Sequence, residues 1–464
     1  MTPRHVAVID IGKTNAKVAL VDLCSSLELA VRQMPNRVLR DGPYRHYDSE
    51  GLWAFILESL ASLNAEQAIE GISVTTHGAA AALLRGDGSL ALPLLDYEDA
   101  GPDETAEAYD ALRPDFEVTG SPRLPAGLNL GAQLFWQQQR FPADFNKVAM
   151  ILTYPQYWSY RLTGVASVEV TSLGCHTDLW NPTEHGYSVL ADATGWRSRM
   201  APLRRASDAI GPIMPDLAKA TGIKHDCPVA CGIHDSNASL LPHLMHEQQP
   251  FAVVSTGTWV VAMSVGGAEA ELDPRRDTLI NVDAFGAPVR SSRFMGGREY
   301  ERACGSEAVG YDVGDLASVL RGRVMLLPSL EAGTGPFPDR LGGWSAEADG
   351  LSAAERAAAA ACYLALMTAT CLDMIGARGP VVVEGAFARD TLLMSLIAAM
   401  TGRPVRGIGT RSTGTSIGAA ILLKPKAHVR CQKGERENSL VGLSGEIRTY
   451  RSEWLRRVKS GRAA

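Results

Sequence analysis

The 464-residue chain lacks several features that would point to particular classes of protein. Its 51 acidic and 45 basic residues are mixed along the sequence, so no basic stripe of the kind that binds a phosphate backbone is present. The eight cysteines include no C-x-x-C pair and no zinc-ligand spacing. There is neither a long uninterrupted apolar run nor a signal-peptide pattern. We therefore expect a cytoplasmic protein that binds neither nucleic acid nor membrane.

Two common nucleotide-binding motifs are absent as well. No G-x-x-x-x-G-K-[ST] is present, and no G-x-G-x-x-G follows a strand. The composition itself, with 46% apolar and 21% charged residues, is that of an ordinary globular protein. At this length the chain is too long for one core, and two domains of about 200 residues each are the simplest expectation.

Short apolar strands alternate with amphipathic helices through most of the chain, which predicts an α/β fold. HVAVIDIG and AKVALVDL form a strand pair, and GLWAFILESLASL (51–63) places its apolar residues on one helical face. The run AAAAACYLALMTATCL (357–372) predicts a buried helix, because a capping box of Ser352 and Glu355 precedes it. RTYRSEWLRRV (448–458) predicts a second helix that packs against the rest of the protein.

Two strand-turn-strand units resemble each other, VAVIDIGKTNAKVAL (6–20) and FAVVSTGTWVVAMSV (251–265). Each has a tight turn that contains Gly and Thr. Backbone N–H groups and a Thr hydroxyl in such a turn can hold phosphate oxygens, and Gly lets the chain approach closely. Each turn taken alone is more consistent with an ordinary hairpin than with a phosphate site. Together they predict two phosphate-binding turns, with the carboxylate of Asp10 at the end of the first strand.

The segment CGIHDSNAS (231–239) places Asp235 at the start of a predicted helix. One interpretation is an ordinary N-cap aspartate. The other is catalytic, because a helix N-terminus stabilises negative charge. An ionised carboxylate beside a substrate hydroxyl is what phosphoryl transfer to an alcohol requires.

Five segments, in this order, resemble the FGGY family of carbohydrate kinases. They are DIGKTNAKVALVD, YPQYWSYRLTG, CGIHDSNAS, STGTW and EGAFARDTLLMSLIAAMTGRPV. The resemblance implies an α/β fold of two actin-like (ribonuclease H-like) domains with a cleft between them, as in actin, hexokinase and Hsp70. It also implies an N-terminal domain at 1–245, a C-terminal domain at 246–430 and a tail at 431–464.

The same resemblance implies roles for individual residues. It implies that Asp235 is the catalytic base and that Asp10 and Asp235 lie at the Mg²⁺ site. The implied ATP contacts are Lys13, Thr14, Asn15, Thr256, Gly257, Thr258, Gly385, Ala386 and Arg389. The implied sugar contacts are His77, Gly78, Asp99 and Asp235.

Several positions depart from the family pattern. The adenosine turn usually has consecutive glycines, but Ala386 and Phe387 stand there. The segment around Asp99 resembles a W-x-D-x-R substrate motif in which Tyr97 replaces Trp and the Arg is missing.

Three further residues keep two interpretations. His77 either contacts sugar or is satisfied by backbone at a strand end. Lys13 either touches a phosphate or points into solvent. For Trp259 we expect a place in the core rather than in the site.

The expected function is ATP- and Mg²⁺-dependent phosphorylation of a primary hydroxyl of a ketose of the L-rhamnulose, L-fuculose or xylulose type. The turn STGTW resembles that of rhamnulose and fuculose kinases more than that of xylulose or glycerol kinases. Two alternatives remain: a polyol kinase acting on glycerol or erythritol, and a non-catalytic sugar-binding member of the same fold. The expected partner is a small sugar, and the resemblance leaves open a homodimer.

Overall fold

The computed structural model describes residues 3–305, 309–348, 350–408, 414–424 and 440–460. These residues divide into two compact units. The first unit contains described residues 3–246, 280–288 and 414–424, and the second contains the rest.

The first unit is built on a mixed sheet, which has seven strands within the described ranges. Across the sheet, the strands are Ala209–Pro212, Pro228–Ala230, Gly71–Thr76, His5–Ile11, Asn15–Asp22 and Leu27–Pro35, with Ile233–His234 also paired to Gly71–Thr76. His5–Ile11 runs antiparallel to Asn15–Asp22 and parallel to Gly71–Thr76. The predicted hairpin of residues 6–20 is therefore confirmed.

The central strand His5–Ile11 is buried on both faces. Val6 and Val8 pack into one apolar cluster, and Ala7 and Ile9 pack into another on the opposite face. A strand that is covered on both faces needs apolar side chains at nearly every position, which explains the sequence HVAVIDI.

Helices and short strand pairs surround this sheet. The helices are Ser49–Glu66, Ala106–Asp110, Phe116–Thr119, Leu130–Arg140, Pro142–Phe145, Tyr154–Thr163, Val170–Leu173, Val189–Ala193, Pro215–Thr221, Asp235–His246 and Gly414–Ile421. The short pairs are Val38–Leu39 with His46–Tyr47, Ala81–Leu84 with Met150–Thr153, Val168–Glu169 with Leu203–Arg204, and Trp180–Asn181 with Gly186–Tyr187. Asp48 caps the first helix by accepting from the Gly51 N–H at 2.9 Å.

The second unit repeats the arrangement of the central strands. The sheet runs Thr278–Val282, Pro288–Phe294, Val260–Val265, Phe251–Thr256, Val381–Gly385 and Val405–Ile408, and residues 280–282 and 288 of its first two strands are counted with the first unit in the division above. Phe251–Thr256 is antiparallel to its hairpin partner and parallel to Val381–Gly385, as the corresponding strands are in the first unit. The similarity between the two sequence hairpins therefore reflects a repeated topology.

The core of the second unit is dominated by the helix Ala353–Met374. Ser352 and Glu355 form its capping box, as predicted. By length and composition, it is the one helix in the described ranges that is apolar enough to cross a membrane, but 83% of its apolar window is buried inside the protein. The other helices are Gly296–Cys304, Val313–Gly322, Thr391–Thr401 and Ser444–Ser460, and a short pair joins Leu326–Leu327 to Gly343–Trp344.

The predicted domain bounds of 246–430 and 431–464 stay a prediction, and the two helices after residue 410, Gly414–Ile421 and Ser444–Ser460, belong to different compact units. The apolar helix Gly414–Ile421 packs against Asp235–His246 in the first unit, where Thr415 Oγ1 lies 2.8 Å from Ser239 Oγ. The final helix packs into the core of the second unit, as the pattern at 448–458 predicts. Trp454, which is fully buried, donates from Nε1 to the Leu326 carbonyl at 2.8 Å.

Candidate active site

The turn of the first hairpin is held rigidly by one asparagine. Within the turn, the Gly12 N–H donates to the Asn15 carbonyl at 2.9 Å. Asn36 donates from its backbone to the Thr14 carbonyl and from Nδ2 to the Gly12 carbonyl, both at 2.8 Å. Thr14 and Asn15 are exposed at the tip. The turn therefore presents two of the predicted phosphate contacts on a fixed backbone.

Asp10 lies at the end of the central strand, opposite Lys17 in the hairpin register. Lys17 Nζ is 3.5 Å from Asp10 Oδ2 and 3.0 Å from Glu28 Oε1. Burial raises the pKa of Asp10 to about 6, Lys17 opposes this shift and the negative charge of Asp235 adds to it. The two predicted Mg²⁺-site carboxylates therefore lie close enough to interact electrostatically.

Lys13 does not point into solvent. Its ammonium pairs with the carboxylate of Asp96, which is fully buried, and lies 3.4 Å from Glu98 Oε2. It also lies over the rings of Tyr97 and Tyr47, 4.8 and 5.4 Å from their centroids. The solvent interpretation is therefore wrong: Lys13 ties the hairpin turn to the segment that carries Asp96.

His77 is buried among three tyrosine rings, those of Tyr47, Tyr97 and Tyr154, with ring centroids 5.0 to 5.2 Å away. Its Nδ1 lies 2.7 Å from the Gly78 carbonyl, whereas Nε2 has no hydrogen-bond partner among the described residues. Burial lowers the pKa of His77 to about 4, so the ring is neutral near pH 7. With Nδ1–H donating to the backbone, Nε2 is an acceptor without a partner, as a sugar hydroxyl requires.

Asp235 opens the helix Asp235–His246, and its side chain is 32% exposed. Its Oδ1 accepts from the Ser236 N–H at 2.6 Å and lies 3.2 Å from His234 Nε2. Oδ2 is left without a hydrogen-bond partner among the described residues. One oxygen is thus fixed while the other remains available to a substrate.

The other two predicted sugar contacts have structural roles in the first unit. Both oxygens of Asp99 accept from backbone, the Arg45 N–H and the Gly101 N–H, each at 2.8 Å. A Cβ on Gly78 would lie 2.9 Å from His234 Nε2, so this glycine makes room for the His234 ring. Neither residue presents a free polar side chain to a ligand.

Thr256, predicted to bind phosphate, uses its hydroxyl within the second unit. Oγ1 donates to the Glu384 carbonyl at 2.6 Å and accepts from the Phe387 N–H at 3.1 Å. The next two residues, Gly257 and Thr258, are exposed at the hairpin turn. The hydroxyl of Thr256 therefore holds the 385–389 turn beside the hairpin, and Gly257 and Thr258 are the residues placed for a ligand.

The predicted adenosine turn begins at Gly385, whose φ is +89°. A Cβ there would lie 2.0 Å from the Thr256 carbonyl oxygen, so only glycine fits. Ala386 and Arg389 follow as exposed residues of a short 3₁₀ turn. Phe387, which stands where the family pattern has glycine, packs its ring 5.6 Å from that of Tyr300.

Trp259 is half-buried rather than a core residue, and the guanidinium of Arg293 lies 4.7 Å from its ring centroid. The expectation of a core tryptophan is therefore only partly met. The aromatic face is occupied by a cation from the same unit.

The carboxylates of the first unit suit Mg²⁺, which binds together with substrate phosphates, better than a metal ion that is held by protein side chains alone. In the described residues, no group of three or more His, Cys, Asp or Glu side chains is arranged to hold a metal. Mg²⁺ keeps several waters and is usually held by one or two carboxylates together with substrate phosphates. The carboxylates of Asp10 and Asp235 fit that requirement.

Comparison with known proteins identifies the family and the fold of the chain. Residues 5–242 match the family described as "FGGY family of carbohydrate kinases, N-terminal domain", and residues 248–432 match "Carbohydrate kinase FGGY, C-terminal domain". A carbohydrate kinase from Novosphingobium aromaticivorans is 36% identical, with a TM-score of 0.88 and 99% of each chain covered. The chain therefore belongs to the FGGY family of carbohydrate kinases, and the duplicated actin-like fold is confirmed.

More distant relatives carry names of particular sugars. The L-fuculokinase of Salmonella typhi is 24% identical over 272 residues, which are 56% of this chain and 57% of that protein. The chain thus matches little more than half the length of this curated relative. The xylulose kinase of Lactobacillus acidophilus has a TM-score of 0.79 at 15% identity, with 99% of each chain covered, and shares the fold.

Three residues near the site had no prediction from sequence: Lys17, Asp96 and His234. Lys17 lies on the strand after the hairpin turn, and nothing in its local sequence distinguishes it from an ordinary lysine of a strand. Asp96 lies 83 residues from its partner Lys13. His234 immediately precedes Asp235 in CGIHDSNAS, and its position was the one available signal.

Proposed function

We propose that the protein is an ATP-dependent kinase that phosphorylates a primary hydroxyl of a ketose. The observation that carries the proposal is the Asp235 carboxylate at the start of its helix. Its Oδ1 accepts from the Ser236 N–H at 2.6 Å, and Oδ2, which makes no hydrogen bond to the described residues, is the oxygen that we assign to the substrate. Asp10 and the rigid turn that exposes Thr14 and Asn15 belong to the same unit.

In this mechanism, Asp235 orients the sugar hydroxyl and accepts its proton as the hydroxyl oxygen bonds to the γ-phosphorus of ATP and ADP leaves. Because the transition state is loose, proton transfer is late and much of the work of the carboxylate is alignment. His77 accepts a hydrogen bond from a second sugar hydroxyl at Nε2.

Mg²⁺, when bound with ATP, neutralises the charge that develops on the phosphate oxygens. Asp10 and Asp235 are the residues of the first unit that would hold it. Within the first unit, Thr14 and Asn15 are our candidates for phosphate contacts. Within the second unit, considered by itself, Gly257 and Thr258 are candidates for phosphate contacts and Ala386–Arg389 for adenosine contacts.

The choice of a ketose rests on relatives and on His77. The matched relatives include an L-fuculokinase and a probable L-xylulose kinase, each 24% to 26% identical. A buried, neutral histidine acceptor beside three tyrosines suits a polyhydroxylated substrate. We therefore place L-fuculose, L-rhamnulose and xylulose first among the candidate substrates.

The test is ADP release measured with a coupled assay over L-rhamnulose, L-fuculose, xylulose, ribulose, erythrulose and glycerol. Each sugar and ATP are also incubated alone with the protein, because sugar-independent ATP hydrolysis would otherwise mimic turnover. We expect ADP release that depends on a ketose, with phosphate found on its primary hydroxyl by phosphorus and carbon NMR. If glycerol and ATP together give ADP release and none of the ketoses does, the protein is instead a polyol kinase. Sugar binding without ADP release would make it a non-catalytic member of the family.

A further inference from the structure

The second hairpin turn, a candidate phosphate site, is fixed through its backbone. Within the turn, the Gly257 N–H donates to the Trp259 carbonyl at 3.0 Å. The Thr258 carbonyl accepts from the Gly297 N–H at 3.2 Å. A Cβ on Gly297 would lie 2.2 Å from the Gly257 carbonyl oxygen, so the chain packs directly against the turn there. Because Trp259 supplies one of these carbonyl groups, its position helps to set the backbone of the turn.

The ring of Trp259 is held by a cation from the neighbouring strand. Arg293 lies opposite Val261 in the register of the sheet, and its guanidinium is 4.7 Å from the centroid of the Trp259 ring. A planar guanidinium stacks well on an aromatic face, and the attraction is stronger where water is excluded. The Arg293 side chain is only 14% exposed, so the contact is largely desolvated.

The orientation of the guanidinium is itself fixed by Asp277. Asp277 Oδ1 accepts from Arg293 Nε at 3.1 Å, and Oδ2 accepts from the Gly335 N–H at 2.6 Å. The backbone joins the same two residues, since the Arg293 N–H donates to the Asp277 carbonyl at 3.2 Å. Both carboxylate oxygens of Asp277 are therefore engaged, and the charge-assisted bond to Nε keeps the guanidinium beside the Trp259 ring.

We propose that Arg293 is a positioning residue for the phosphate-binding turn, which acts through Trp259 and is oriented by Asp277. This inference rests on the proposed roles of Gly257 and Thr258 in binding the phosphates of ATP. A turn that is fixed before the ligand arrives loses less conformational freedom on binding. Arg293 thereby raises the affinity for the phosphates without touching the reacting atoms.

Two substitutions remove the stacking contact from its two sides. Arg293→Met keeps most of the side-chain stem and removes the guanidinium, whereas Trp259→Leu removes the ring and keeps the pair of Arg293 with Asp277. We expect KM for ATP to rise about 5- to 20-fold in each variant, the range that corresponds to loss of one partly desolvated cation–π contact. KM for the ketose should stay within about 2-fold of wild type and kcat within about 3-fold.

Direct binding gives a readout that a general loosening of the second unit would not reproduce. By calorimetry with Mg²⁺ present, the Kd of inorganic tripolyphosphate should rise in both variants by about the same factor as the KM for ATP, while the Kd of adenosine should not change. Arg356→Met is the matched control, because the Arg356 guanidinium lies 5.4 Å from the centroid of the Trp344 ring in the same unit. This control should keep the wild-type Kd for both ligands.

The double variant tests whether Arg293 acts through Trp259. If it does, Arg293→Met should weaken tripolyphosphate binding little further once Trp259→Leu is present, because the two substitutions remove one shared contact. In the described residues, Nη1 and Nη2 of Arg293 donate no hydrogen bond to protein. A full further loss of affinity in the double variant would therefore overturn the positioning role and make Arg293 a direct phosphate ligand.

The outcomes distinguish this inference from the proposed function. Unchanged tripolyphosphate affinity in Arg293→Met and Trp259→Leu, with ketose-dependent ADP release by the wild type, would overturn the role of Arg293 and leave the kinase standing. A wild-type protein that neither binds ATP nor releases ADP with any of the sugars would overturn both. Removing one partner of a buried ion pair is strongly destabilising. Should Arg293→Met fail to fold, as judged by circular dichroism, the tripolyphosphate affinity of Trp259→Leu decides the matter.

Discussion

Replacing Lys13 with Met tests whether this residue of the first hairpin turn binds the phosphates of ATP or stabilises the folded structure through Asp96. Methionine keeps most of the apolar stem and removes the ammonium. In the structure, that ammonium pairs with Asp96, which is fully buried, and lies over the rings of Tyr97 and Tyr47. The substitution therefore leaves a buried carboxylate with one cationic partner fewer.

The magnitude follows from what remains around Asp96. Removing one partner of a buried pair costs about 3–5 kcal/mol when the other charge is left uncompensated. Here Arg45 Nη2 stays 3.0 Å from Asp96 Oδ2, and the Glu98 N–H donates to Oδ1 at 3.2 Å. We therefore expect a loss of about 2 kcal/mol in the free energy of unfolding, which for a domain of this size lowers Tm by about 4–8 °C.

The assay combines thermal unfolding with steady-state kinetics. Lys219→Met, at an exposed position on the helix Pro215–Thr221, is the control and should change stability by less than about 0.5 kcal/mol. A double-mutant cycle with Asp96→Asn should give a coupling of about 1–2 kcal/mol, since the two side chains are in contact. An unchanged Tm together with a tenfold higher KM for ATP would refute the reasoning and make Lys13 a phosphate ligand.

Two further predictions concern Asp10 and Gly385. Burial raises the folded pKa of Asp10 to about 6, so the folded state holds a proton that the unfolded state has lost, and stability falls as pH rises from about 4 to 6. A shift of about two pKa units corresponds to about 3 kcal/mol. Asp10→Asn should consequently be more stable than wild type at pH 8 by about 3 kcal/mol, nearly equal to it at pH 4 and below, and impaired in Mg²⁺-dependent turnover. Urea unfolding that shows no pH-dependent difference would contradict this. Gly385→Ala should lower the thermal stability of the second unit by more than about 2 kcal/mol because its Cβ meets backbone. Gly402→Ala, with a similar positive φ and open space around the Cβ, should cost only about 1 kcal/mol, and equal losses in the two variants would remove the steric argument.

Local patterns predicted the framework well. The two hairpins, the capped helix at 353–374 and the helix around 448–458 all follow from spacing of apolar residues over short stretches. The placement of Asp235 at a helix start also follows from a local signal, since a polar residue ends a strand there and a helical period begins.

Side-chain partners distant in sequence were the part that could not be predicted. Lys13 and Asp96 are 83 residues apart, and Cys175 lies 59 residues before His234. A local sequence pattern does not indicate which buried carboxylate will pair with a given lysine. The uses of Thr256 and Asp99 were missed for the same reason, because a hydroxyl or carboxylate in a loop serves a ligand or the backbone according to neighbours that only the fold brings together.

The role of Asp235 as the proton acceptor is the central claim, and turnover of Asp235→Asn tests it most directly. Asparagine keeps the shape and the Oδ1 contacts but cannot accept the hydroxyl proton. ADP release with the preferred ketose should fall by about 10²- to 10⁴-fold, with the sugar still bound and the thermal unfolding temperature unchanged. Wild-type ADP release from Asp235→Asn would contradict the account.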